Sequence, residues 1–293
     1  MPRVTIITAT YNWATVLPYS VASALDQTFT DFEYLVVGDG CTDESAAVVA
    51  AVAEGDRRVR WFNLAANTGH QWGPNGEGLR QAQGDLIAYL GHDDLWVPTH
   101  LEALVAAADA EPDVGLVHST LLMVYPDRDP YLHPEPGWVY VPPDWIPPTA
   151  VLHRRAVAVE AGGWQPPSAD GASDPEADLW ARIATRSNLR WVPRVTSVKM
   201  PASVRSAVYR ERPGHEQAYW LDRIRVAPDP EADLVAACES PYPLAVATQP
   251  RWLSGRERVV WAVKTRVRRL RGRPPVTAAE RHQLRRRFKG LES

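Results

Sequence analysis

Cysteine is nearly absent: Cys41 and Cys238 are the only two in 293 residues. Two such residues can build neither a disulfide framework nor a cysteine-ligated zinc site, and the expected compartment is the reducing cytosol. No apolar run approaches the roughly 18 residues that a membrane-spanning helix requires. The opening Met1-Pro2-Arg3, followed by Val4-Thr5-Ile6-Ile7, is too short and too β-branched to read as a signal peptide. No Gly-x-Gly-x-x-Gly follows the first strand-like run, and no Gly-x-x-x-x-Gly-Lys-Ser/Thr occurs. A nicotinamide-type dinucleotide site and a P-loop therefore lack support. No internal repeat is present.

What is present is an ordinary globular balance, 45% hydrophobic and 23% charged, which excludes wholesale disorder. The length suits two average domains or one large α/β domain with an appendage. The net charge of −3 conceals a split. Residues 251–293 carry 14 Lys/Arg against 3 Asp/Glu, a local +11, while the other 250 carry 18 against 32, or −14. Residues 255–270 read as an amphipathic helix, with Val259, Val260, Val263, Val267 and Leu270 opposing arginines. Such a segment suits an anionic partner; peripheral contact with the inner face of a membrane is one reading, and a partly disordered end is another. A helix docked on the acidic body is a third. Nucleic acid is not an expected partner, because no recognisable module accompanies the basic end.

The first 125 residues alternate regularly. Strand-like runs cover 4–8, 32–37, 58–64, 86–90 and 115–124. Helical spacing covers 16–27, 44–53 with Asp43 as its N-cap, 78–83, and the stretch from Pro98 to about 109. The expected fold class is α/β, a mostly parallel sheet flanked by helices. Ligands in such sheets sit beyond the carboxyl ends of the strands. The residues there are Ala9-Thr10-Tyr11-Asn12 after Thr8, Gly38-Asp39-Gly40, Ala66-Asn67-Thr68-Gly69 and Gly91-His92-Asp93-Asp94. All four stretches are small or polar, which argues for one shared site. Eight prolines between 126 and 148 exclude a regular helix, leaving a domain joint or a substrate-covering loop. Helices are expected over 151–160 and 176–185 and a strand over 191–198; beyond 203 the pattern weakens. The chain is expected to divide into an α/β half carrying the strand-end stretches (1–125), a second half of the same domain (126–202) and a helical extension with a basic tail (203–293).

Asp93 and Asp94 close an apolar run, Leu86-Ile87-Ala88-Tyr89-Leu90. Adjacent carboxylates in an open site are good ligands for Mg²⁺ or Mn²⁺, which keep waters and take phosphate oxygens as further ligands. An acid pair that complements a helix dipole is the alternative.

Five segments in one order then resemble the family 2 glycosyltransferases. They are Val4-Thr5-Ile6-Ile7-Thr8-Ala9-Thr10-Tyr11-Asn12; Gln27-Thr28 through Asp31-Phe32-Glu33; Gly38-Asp39-Gly40-Cys41-Thr42-Asp43, similar to "D-D-G-S-T-D"; Asn67-x-Gly69 with Asn75-Gly76; and Gly91-His92-Asp93-Asp94-Leu95-Trp96, similar to "D-x-D-D-x-W". The resemblance implies an inverting transferase on the A-type glycosyltransferase fold, using a nucleotide-diphosphate-sugar and Mn²⁺ or Mg²⁺. Tyr11 and Asp39 would contact nucleobase and ribose. Thr8, Ala9, Asn67, Asn75 and His92 would join the donor site, and Asp93 would be the metal-binding acid. His92 could instead face solvent. The first acid of each aspartate pair is glycine here, Gly38 and Gly91. A catalytically silent nucleotide-sugar or glycan-binding protein on the same fold is the alternative. A nucleotidyltransferase would need a basic glycine-rich loop after the first strand, and Ala9-Thr10-Tyr11-Asn12-Trp13 supplies none.

An inverting transfer also needs a base for the acceptor hydroxyl of a glycan, a lipid-linked carrier or a small molecule. Ser173-Asp174-Pro175-Glu176-Ala177-Asp178-Leu179-Trp180 resembles the family's "E-D-x-D-L-W" helix start, in which register Glu176 is the base, with Asp178 and Asp174 as alternatives. The same residues read equally as an N-cap, a proline at the first helical position and a dipole-complementing acid. Gly162-Gly163-Trp164 resembles the acceptor loop, where Gly163 and the Trp164 ring would meet a sugar, a turn with a packed tryptophan being the alternative; Trp72 is a second tryptophan for sugar contact.

Overall fold

In a computed structural model of the chain, residues 1–135, 138–142, 144–167, 174–205 and 207–239 are described. The basic segment 251–293 and the helix expected over 255–270 lie outside them. The first half runs β1 (Val4–Thr10), α1 (Leu17–Leu25), β2 (Phe32–Gly38), α2 (Ser45–Val52), β3 (Val59–Asn63), α3 (Trp72–Gln81), β4 (Leu86–Tyr89), β5 (Leu95–Trp96), α4 (His100–Ala110) and β6 (Val114–Met123). There follow β7 (Tyr131–His133), β8 (Val151–Arg154), α5 (Arg155–Glu160), α6 (Pro175–Ala184) and β9 (Asn188–Lys199). Three helices, α7 (Val208–Glu211), α8 (His215–Val226) and α9 (Pro230–Ala236), come last.

One sheet runs through the fold in the order β3-β2-β1-β4-β8-β6-β9-β5, with β7 on β6. β1 to β4 are parallel, as the strand–helix alternation predicts. Beyond them the sheet is mixed: β8 lies antiparallel to both β4 and β6, β6 and β9 are parallel, and β5 is antiparallel to β9. The central strands β1, β2, β4 and β6 are buried on both faces, so successive residues enter different cores. Ile6 packs with α1 and α4 residues such as Leu17, Val21 and Leu104, whereas Ile7 packs with Leu79 of α3 and Leu179, Trp180 and Ile183 of α6. A third core, with Leu95, Val97, Leu122 and Val198, is closed by Trp220, Leu221 and Ile224 of α8 and Leu234 of α9.

Two elements differ from expectation. Residues 151–160 are not one helix, because Leu152 sits between Ala88 and Val117 as a strand residue before α5 begins. A short apolar run carries no periodicity that separates strand from helix. α3 begins at Trp72 rather than 78, despite three glycines and a proline. Pro74 is tolerated in the first turn, and Gly78 lets the helix lie on β1, where a Cβ would come within 2.5 Å of Ile7 Cγ2. No helix among the described residues is long and apolar enough to cross a membrane.

α8 is tied to the sheet by a buried ion pair. Arg205 donates from Nε to both Glu216 carboxylate oxygens (3.0 and 2.9 Å), from Nη1 to Pro201 O (2.9 Å) and from Nη2 to Val124 O (3.1 Å). Both side chains are 3% exposed or less. Arg205→Met would strand a buried carboxylate and should cost about 3–5 kcal/mol, read as a lower denaturation midpoint; an unchanged midpoint would show that the pair does not hold α8.

Candidate active site

The turns beyond β1 and β2 are stapled together by short polar side chains. Asn12 adopts a left-handed backbone (φ +56°), which asparagine tolerates better than most residues. Its Oδ1 accepts from the backbone N–H groups of Thr42 (2.7 Å) and Asp43 (3.3 Å). Asp43 in turn accepts from Ala14 N and Ser45 N (3.1 Å each), which satisfies a free amide at the start of α2. Asp39 is buried and spends its carboxylate on the next loop: Oδ1 accepts from Thr68 N (2.9 Å) and Thr68 Oγ1 (2.8 Å), and Oδ2 from Gly69 N (3.1 Å). These turns frame a cleft of about 260 Å³ lined by Ala9, Tyr11, Asp39, Asn67, Asn75, His92 and Asp93. The structure thus brings together every residue expected at the donor side except Thr8. That threonine is fully buried, bonded to Tyr34 Oη and donating to Leu90 O (2.8 Å each).

The end of β4 carries the acids. Asp93 is 8% exposed, faces the cleft, and its carboxylate accepts no hydrogen bond from any described residue; its carbonyl accepts from Gln217 Nε2 of α8 (3.1 Å). Asp94 is committed: Oδ2 meets Lys199 Nζ at 3.0 Å and Oδ1 accepts from Met200 N at 3.1 Å. Burial lifts the Asp94 carboxyl above its usual range, with Lys199 pulling against that. Burial also opposes the Lys199 ammonium, but the carboxylates of Asp94, Asp93 and Glu176 outweigh it and hold the group above its ordinary value. His92 does not face solvent. Its ring packs on Trp13 (centroids 4.6 Å apart), and Nδ1 donates to Ala9 O (3.1 Å), leaving Nε2 as the acceptor.

Both glycines that replace acids are explained by what fills their space. A Cβ at Gly38 would fall 2.5 Å from Asn63 Oδ1 and 2.9 Å from the Trp61 ring. The Asn63 amide brackets Cys41 there, accepting from its N–H (2.8 Å) and donating to its carbonyl (2.9 Å). A Cβ at Gly91 would fall 2.4 Å from Asp94 Oδ2.

Glu176 is not among the residues that line the cleft; it lies behind Gln71, which does, in the first turn of α6, 6% exposed. Gln71 donates to Oε2 (2.6 Å) and the Trp145 indole N–H to Oε1 (3.1 Å). Burial pushes its carboxyl above the usual glutamate range, more than its hydrogen bonds and Lys199 pull it down. The other two acids of this segment stand apart. Asp174 is exposed and occupies the N-cap without a side-chain hydrogen bond. Asp178 is bound by Arg182 through Nε (2.9 Å) and Nη2 (2.6 Å), and Arg182 also donates to Gly163 O (2.8 Å). Gly163 sits in a left-handed turn (φ +63°). Trp164 is buried, not open for stacking: its indole donates to Tyr89 Oη (2.8 Å) and its ring packs edge-on against Tyr89 and Trp180. Trp72 packs against the same core.

Sequence reasoning missed Trp13, Gln71, Lys199, Tyr209 and Arg212 in the cleft lining and Trp145 beside Glu176. One signal was available for Lys199: it is the only lysine before residue 264. Among the described residues no group of three or more His, Cys, Asp or Glu side chains could hold a metal ion. Among the described residues, Asp93 is the carboxylate that faces the cleft without a hydrogen-bond partner, and it would fit as one ligand to such an ion.

Comparison with known proteins agrees with this geometry. The sequence profile of glycosyl transferase family 2 matches residues 5–202, so the chain belongs to that family. A GalNAc(5)-diNAcBac-PP-undecaprenol beta-1,3-glucosyltransferase of Campylobacter jejuni is 31% identical over 112 residues, 37% of this chain and 35% of that protein. The matched stretches cover between about a third and two fifths of several curated relatives. The fold resembles S. aureus TarS in complex with UDP (TM-score 0.58, 17% identity, 81% of this chain and 70% of that one). It also resembles the mannosyltransferase PcManGT of Pyrobaculum calidifontis in complex with GDP-Man and Mn²⁺ (TM-score 0.56, 18% identity, 81% and 69%). The architecture is the A-type glycosyltransferase fold.

The two neighbouring acids should separate in stability measurements. Asp94→Asn leaves Lys199 without its carboxylate and should cost on the order of 3 kcal/mol, whereas Asp93→Asn should leave the melting temperature where it is. Equal melting temperatures for the two variants would contradict this division.

Proposed function

We propose that this chain transfers a sugar from a nucleotide-diphosphate-sugar to a hydroxyl of a glycan, lipid-linked or small-molecule acceptor, with inversion at the anomeric carbon. The observation that carries the reading is Glu176: a desolvated carboxylate joined to the cleft lining through Gln71 and held by Gln71 and Trp145. A carboxylate that cannot relax into water and whose proton affinity is raised suits proton removal from an alcohol. The likeness to TarS with UDP and to PcManGT with GDP-Man supports a nucleotide donor.

On this reading Tyr11, Asn67 and Asn75 flank the nucleotide, and Asp39 acts by shaping the 67–69 loop. The His92 Nε2 lone pair accepts from a donor hydroxyl or amide. Asp93 is the one acid that would hold Mn²⁺ or Mg²⁺, which when bound neutralises charge on a departing diphosphate. Glu176 takes the acceptor proton on the opposite side. Asp178 and Gly163, linked through Arg182, fix the start of α6 so that Glu176 points inward.

A panel of nucleotide sugars tested with the purified protein in Mn²⁺ and Mg²⁺ should reveal a donor. Glu176→Gln should keep donor affinity and lose roughly 10²–10⁴-fold in turnover; wild-type turnover in that variant would place the base elsewhere. Because the ionised form is the active one, kcat/KM should fall as pH drops through a carboxyl lying above the ordinary glutamate range. Trp145→Phe removes an N–H that stabilises that ionised form, so the acid limb should move to higher pH. A limb that stays in place would mean that Glu176 is not the titrating group.

A further inference from the structure

Most of the charge on the cleft wall is already spent. Asp39 is satisfied by Thr68 and Gly69, and Asp94 by Lys199 and Met200. At position 91 no side chain fits without displacing Asp94. One carboxylate, Asp93, is left to hold a cation, where the family pattern offers two.

A second charge of the right sign stands in the same cleft. Arg212 lines it, half-buried, and its guanidinium makes no hydrogen bond or ion pair with a described residue. Its Nε is shut off from solvent and has no acceptor. A buried donor without a partner is costly, and a guanidinium stays charged under all ordinary conditions. The backbone holds it there at further cost. Ala207 (φ +54°) and Arg212 (φ +45°) are both left-handed non-glycine residues at the two ends of α7, a conformation that persists only where its surroundings impose it. Those surroundings are visible: Arg212 N donates to Val208 O (2.7 Å), its carbonyl accepts from Thr15 Oγ1, and the Tyr209 ring meets Trp13 edge-on at 6.0 Å.

We propose that Arg212 binds the diphosphate of the nucleotide donor and thereby makes nucleoside diphosphate binding independent of a divalent cation. Its planar fork matches two phosphate oxygens and supplies permanently the positive charge that a one-carboxylate ion site secures weakly. The inference rests on the nucleotide-sugar reading of the cleft.

The test is titration calorimetry of the full chain with UDP, GDP, ADP and dTDP, each in EDTA and in Mn²⁺. The wild-type protein should bind at least one of them in EDTA. Arg212→Gly, which suits the left-handed backbone and should melt with the wild type, should weaken that binding about 10- to 100-fold. Arg212→Lys keeps the charge without the fork and should fall between the two. Asp93→Asn should bind as the wild type does in EDTA and lose any gain from Mn²⁺. Binding in Mn²⁺ but not in EDTA, or equal affinity of Arg212→Gly and the wild type in EDTA, would overturn the proposal and leave the donor reading standing. No binding of any nucleotide in either buffer would overturn the donor reading and this proposal with it.

Discussion

The buried pair between Lys199 and Asp94 ties the segment leaving β4 to the end of β9, two strands that are not neighbours in the sheet. Asp94 follows β4, the last strand of the parallel half, and Lys199 ends β9 in the mixed half. The Met200 amide on the same carboxylate fixes the chain direction leaving β9, and Leu95 beside Asp94 continues the contact as a strand pair with Val198. A buried ion pair adds little net stability over an apolar contact of equal volume, yet it tolerates few alternative geometries. Its effect here is registration. It sets where Asp93 points, which space is closed at Gly91, and how near the Lys199 charge lies to Glu176.

The acids of the site differ through environment rather than residue type. Asp39 and Asp94 have both oxygens engaged by backbone amides, a hydroxyl or a lysine, Asp178 has one oxygen held by Arg182, and all three act as scaffolding. Asp93 has the same side chain and no hydrogen bond from a described residue. Glu176 has partners on both oxygens, but they are neutral donors that orient the group without cancelling its charge. Acids with such different hydrogen-bond surroundings can serve different roles in one site.

Much of the fold was legible because it is local. The β1–α1 and β2–α2 turns are written in Asn12, Asp39 and Asp43, whose short side chains bond the backbone nearby, and the apolar runs of β1, β2 and β4 carry the burial of a central sheet. The start of α6 at Asp174-Pro175-Glu176 was legible through the same local chemistry. The missed parts are contacts between residues far apart in sequence. Lys199 finds Asp94 across 105 positions and Gln71 finds Glu176 across 105; no window of sequence shows such pairs. Residues 151–154 became a strand because β4 and β6 leave a gap between them, a reason that lies outside the segment itself. The Trp164 ring was misjudged for the same cause: the Tyr89 hydroxyl that claims it belongs to another strand.

The two glycines at 38 and 91 carry a consequence for how this chain can change over time. Each lies against a neighbour that has taken over its volume, Asn63 in one case and Asp94 in the other. A carboxylate introduced singly at either place meets occupied space, so a pair of them there requires coordinated replacements. At 91 the partner that would have to yield is the one neutralising Lys199.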